Sequence, residues 1–262
     1  MSRRIPVALA ALLLSAPAWP QFSAEELKAA QKDPGTFTLD ENSIQIAKIG
    51  PTVNPADIPA PALTPSNVIP TLDNIINLGL KIWKIVEDNK PVVDVKTQFA
   101  TALPKGVSGW TDMAGWLPPV GTIYELTAKN AYGIKVIDLR YQVLRTYGGS
   151  YDGKGKYLTA VTVEPLLVDV AWGYHFSMSS NVPDTSIVNV GTSDNPVAGL
   201  MDQLGWNIST PLKSSSGQSL YFLQGDGAYR EIAGPFAAQS LEKARAAVSA
   251  ATPPAAQPAR FD

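Results

Sequence analysis

Cysteine is absent from all 262 residues, and histidine occurs once, at His175. Without thiols there can be no disulfides, even in an oxidising compartment, so a packed core must hold the fold. One imidazole and no thiolate leave a zinc or copper site resting on carboxylates, which these metals accept poorly. Any Ser-His-Asp arrangement would have to use His175. An excess of positive charge is missing too, since the formal net charge is −2, and nucleic acid is therefore not an expected partner. No apolar run approaches the roughly 20 residues that cross a bilayer as a helix. No internal repeat is present.

The longest apolar run, residues 5–14, follows Arg3 and Arg4 and precedes Ala16-Pro17-Ala18. That order is the layout of a secretory signal of bacterial style, with cleavage expected after Ala18. Losing its two arginines leaves 19 basic residues against 23 acidic ones, a net of about −4. The expected location is periplasmic or extracellular, and with no cysteine the chain cannot carry the lipid of a bacterial lipoprotein.

Beyond the signal, residues 22–32 have helical character, with Ser23 as N-cap and Glu26 completing a capping box before Pro34-Gly35. Six prolines between residues 50 and 70 exclude helix and predict an extended linker or strap. Residues 71–89 read as an amphipathic helix. Asp73, Asn74, Asn77, Lys81, Lys84 and Asp88 share one arc at 100° per residue, and Ile75, Ile82, Trp83, Ile85 and Val86 belong to the broad remainder. Such a face either packs on a sheet or seeks a membrane interface, which makes Trp83, Lys81 and Lys84 candidate contact residues. Trp110 and Trp116 lie in a loop rich in proline and glycine, where they either stack on a flat ligand such as a sugar or plug the end of a core.

The rest is strand-like. Ile137, Leu139, Tyr141 and Val143 alternate with Asp138, Arg140 and Gln142, and residues 157–163 and 168–178 repeat the two-residue period. On that pattern Trp172 belongs in the core. Further strands are expected at 43–49, 92–99, 121–128, 187–190, 204–208 and 219–224, and an alanine-rich helix at 236–250 ahead of a tail of disordered composition. The fold class is thus mainly β: an antiparallel β-sandwich or open barrel of about eight strands, with one helix before it and one after. The segments are a signal at 1–18, a short helix and strap at 19–70, the helix and β domain at 71–235, and a helix and tail at 236–262.

No residue set defines a reaction. Gly148, Gly153 and Lys154 have the spacing of a phosphate-binding loop, but Gly155 replaces the required hydroxyl and a strand follows where a helix is needed. The segment reads better as a hairpin loop whose glycines take positive φ. Asp184, Asp194, Asp202 and Asp226 sit in or near turns without calcium-loop spacing. Asp138 and Asp169 form a candidate carboxylate pair if neighbouring strands bring them within about 5 Å. The reading favoured by these residues is an exported, non-catalytic binding or structural module without a cofactor, its ligand an envelope component, glycan or protein. A membrane-active protein using 71–89, and a carboxylate hydrolase, are the alternatives.

Overall fold

The computed structural model describes residues 22–51, 70–92 and 98–236. The expected signal, most of the proline-rich strap, most of the 92–99 strand and all but the first residue of the alanine-rich helix lie outside them. The described chain is mainly β, with antiparallel ladders throughout. Its two helices come first: α1 (Ala24–Lys32), which carries the expected Ser23–Glu26 capping box, and α2 (Pro34–Phe37).

Thirteen strands follow among the described residues, more than the eight or so expected. They are β1 (Leu39–Pro51), β2 (Thr71–Ile76), β3 (Ile82–Glu87), β4 (Lys90–Pro91), β5 (Ala100–Lys105), β6 (Val120–Asn130) and β7 (Lys135–Tyr151). The remainder are β8 (Lys154–Val170), β9 (His175–Asn181), β10 (Val188–Asn189), β11 (Ala198–Ser209), β12 (Ser214–Gln224) and β13 (Tyr229–Ala233). One sheet has the order β1-β6-β7-β8-β5-β2. The other runs β13-β12-β11-β9-β3-β4, with β10 paired to β11. The sheets meet at two seams to give a half-barrel. Ile46 in β1 donates its backbone N–H to Pro235 at 2.7 Å, and the β7–β8 hairpin leans on the other sheet through Lys156 to Pro196 and Gly148 to Gly225, both 2.9 Å.

Turn chemistry fixes the register of the longest hairpin. Asp152 and Gly153 both have positive φ, 49° and 75°, and join β7 to β8 as a two-residue turn of the kind that matches strand twist. The near phosphate-loop spacing therefore belongs to a hairpin tip. Side chains of one period fill the space between the sheets: in β11, Ala198, Leu200, Leu204 and Ile208 are fully buried, facing Phe176 and Met178 of β9 and Tyr124, Leu139 and Tyr141 of the first sheet within one apolar cluster.

Two expectations fail. Residues 71–89 form β2, a bend and β3, with no helix. Asn77 takes the backbone N–H groups of Gly79 and Thr101 on its side-chain oxygen, and the backbone at Gly79 comes so close to the Phe99 carbonyl that a side chain there would clash. Asp88 and Asn89, with φ of 47° and 64°, then turn β3 into β4. The segment's β-branched residues suit strands, and in β3 Trp83 and Ile85 are buried while Ile82 and Lys84 are exposed, a two-residue period. The second failure is the expected strand 168–178. It breaks at Gly173, whose φ is +79°, so β8 ends at Val170, β9 starts at His175, and Trp172 stands on the intervening turn, 59% exposed.

Candidate functional site

The candidate contact residues do not come together. Trp83, a candidate membrane contact on the expected apolar face, is only 4% exposed and belongs to the core. Lys81 pairs with Asp184 and Lys84 with Glu87, all well exposed, and exposed pairs of this kind add little to stability. Trp110 opens a single 3₁₀ turn, and its carbonyl accepts the Trp116 indole N–H at 3.0 Å. The Trp116 ring lies against Gly149 of β7 and packs on the core. Both tryptophans are half-buried.

Lys84 does border an open groove of about 460 Å³. The groove crosses four strands of the second sheet at one level, where Val86, Met178, Trp206 and Gly217 stand side by side in register. Its walls come from residues of the opposite, outward phase: Ser177 and Ser179 of β9, Gly205 and Asn207 of β11, and Ser216 of β12. Asn207 is fixed by its neighbours, donating to Ser209 and accepting from Ser214, both at 2.8 Å. This surface offers hydroxyl and amide groups, with Lys84 and Glu87 neutralising one another at its edge.

The carboxylate pair is adjacent, as its strand positions suggested, since Asp138 and Asp169 are directly opposite across β7 and β8. Asp138, however, pairs with Lys135 at 2.5 Å, and Asp169 is exposed. Nearby, Arg140 holds Glu125 at 3.1 Å, so the outer face of this sheet is a lattice of surface ion pairs. His175 stands on the outward phase of β9, its Nδ1 2.6 Å from an Asp88 carboxylate oxygen and the Phe22 ring edge-on at 4.7 Å. Among the described residues no three His, Cys, Asp or Glu side chains cluster closely enough to hold a metal ion.

A polar network inside the half-barrel was not foreseen. Asp202 is fully buried, accepts a hydrogen bond from Ser180 at 2.5 Å, and leaves its second oxygen without a partner. Burial pushes its carboxyl up to about 7, and the Ser180 bond only partly opposes that. Next to it Tyr141 and Tyr221 share a hydroxyl hydrogen bond of 2.7 Å, and burial raises both phenols far above their ordinary value. Towards the β13 edge, Tyr124 hydrogen bonds Tyr229 and Glu231, and the Arg145 guanidinium lies 4.2 Å from the centre of the Tyr229 ring. Burial lowers the Arg145 pKa, and Thr122 accepts one of its N–H groups at 3.2 Å. One signal for this network was present in the sequence. Asp202 falls in phase with Leu200, Leu204 and Trp206, an acid where the alternation demands an apolar residue.

No known protein family, curated protein or solved structure matches this chain.

Proposed function

We propose that the protein is an exported, non-catalytic binding module whose two sheets form a sandwich-like support for a ligand-bearing outer face. One observation carries this reading: an open groove on the second sheet is lined by Val86, Met178 and Trp206 together with the hydroxyl and amide groups of Ser177, Ser179, Asn207 and Ser216, and its one acid, Glu87, is paired with Lys84. Such a surface suits a neutral, hydroxyl-rich ligand, and among the classes considered it fits an envelope glycan best. Interior acid-base chemistry is not supported, because Asp202, Tyr124, Tyr141 and Tyr221 are all fully buried. The hydrolase alternative would need Asp138, which is paired with Lys135, to act together with the exposed Asp169.

Sedimentation with insoluble cell-envelope glycan tests the reading. Saturable binding that Ser177→Leu weakens, with the unfolding midpoint unchanged, is the expected result. Turnover of a glycoside or ester substrate that disappears in Asp138→Asn would refute the non-catalytic assignment. Recovery of the exported protein with an intact Met1 terminus would remove cleavage after Ala18.

A further inference from the structure

Two neighbouring turns at one end of the molecule carry its most exposed aromatic side chains. Tyr132 and Ile134, on the turn from β6 to β7, are 61% and 59% exposed, and Trp172, on the turn from β8 to β9, is 59% exposed. The turns are tied together by the Ala171 N–H bonding the Val136 carbonyl at 2.9 Å and by Ile137 pairing with Val170. Helix α2 is wedged against them. The Tyr132 ring covers Gly35, its hydroxyl donating to Asp33 at 2.8 Å, and the Phe37 ring meets Trp172 edge-on at 5.7 Å. These side chains are thus propped outward by firm contacts on their inner edges.

We propose that this end of the molecule rests on a lipid bilayer, with Trp172, Tyr132 and Ile134 reaching into the headgroup layer. Tryptophan and tyrosine are the residues that favour that layer, because each couples an apolar ring to a polar tip. Size favours lipid over a second copy. Three side chains at this exposure present on the order of 350 Å², well under the roughly 800 Å² per partner of a stable protein interface. The course of the chain points the same way. Phe22 packs on His175, three residues from Trp172, and the apolar run 5–14 precedes Phe22 by only eight residues. A tether of that length reaches at most about 25 Å, so whenever the run lies in a bilayer, this end is kept within that distance of it. The surface is separate from the groove beside Lys84, and the proposal rests on the export reading only for this last argument.

The test uses the full chain and phosphatidylcholine vesicles brominated in their acyl chains. Part of the tryptophan emission should be quenched, and that part should vanish in Trp172→Phe while the protein still floats with the vesicles. Trp172→Ser combined with Ile134→Ser should lower the vesicle-bound fraction at least about tenfold at an unchanged urea midpoint. Should that pair fail to fold, Trp172→Phe with Ile134→Ser gives the same comparison with the Phe37 contact kept. Phosphatidylglycerol should change little, because Lys135 beside the patch is already paired with Asp138. Absence of quenching, or quenching that persists in Trp172→Phe, overturns the proposal, the latter by placing the contact elsewhere, for instance in the 5–14 run. Lipid-free self-association that Trp172→Ser abolishes would give the face to a second copy and overturn it too. Glycan sedimentation is read separately, so failure here leaves the groove reading standing.

Discussion

Two tryptophans that both read from the sequence as members of an apolar face end in opposite places. Trp83, on what reads as the apolar face of an amphipathic helix, is buried by a strand instead, since β3 carries it into the core opposite Ser180. Trp172 sits midway along an alternating run, yet a left-handed Gly173 turns the chain and leaves it at the surface. In each case one or two backbone conformations decided the outcome. Asn77, Gly79, Asp88 and Asn89 cut the first segment into strands too short to show a clear period, and Gly173 cut the second at its middle. Side-chain periodicity reports which face is buried only while the backbone keeps one conformation, and a single residue at positive φ resets the phase.

The largest expected effect that would break this comparison is at Trp83. Trp83→Ala should cost about 3 to 5 kcal/mol in urea unfolding, as removal of a large core side chain does. A midpoint equal to that of the parent would return Trp83 to the surface. The second effect concerns the acid on the other side of Ser180. Folded Asp202 titrates near 7 against an ordinary 3.8, so the folded state holds its proton more tightly than the unfolded state does. Its contribution to stability is complete below the unfolded value and is lost as pH rises through the folded one. Thermal unfolding should therefore show a loss of about 2 to 3 kcal/mol between pH 5 and 8 from this group, and Asp202→Asn should flatten the profile. A parent profile identical to that of Asp202→Asn would mean that water reaches the carboxylate. The smallest effect is at Trp172, where Trp172→Ala should cost only about 0.5 to 1 kcal/mol, the value of an edge-on ring contact with Phe37. A loss matching that of Trp83→Ala would put Trp172 back in the core.

Where alternation ran unbroken, the chain was legible. Strands β6 and β7, the second half of β11, the Ser23–Glu26 box and the Asp152-Gly153 hairpin follow from local pattern and turn chemistry. Legibility ended where pairing partners lie far apart in sequence. Ile75 and Ile76 become strand residues because Pro104 and Leu103 lie alongside them, and no local pattern reports that. The groove shows the same limit. Ser177, Asn207 and Ser216 are unremarkable one by one, and only the register of β9, β11 and β12 sets them side by side. Asp202 reads from the sequence as an acid in or near a turn, whereas it lies buried inside β11, and its Ser180 partner and its seclusion depend on the adjacent strand.

The seam between Ile46 and the Pro235-Phe236 segment has a consequence for how the chain is made. Its backbone hydrogen bond joins residues 46 and 235, so this edge of the half-barrel cannot close until residue 235 has left the ribosome. Contacts this distant in sequence slow folding, because the loop must close before the contact rewards it. A chain whose last seam forms so late stays loose for longer during synthesis. That delay leaves the edge of β1 unpaired for longer, open to strand pairing with another chain.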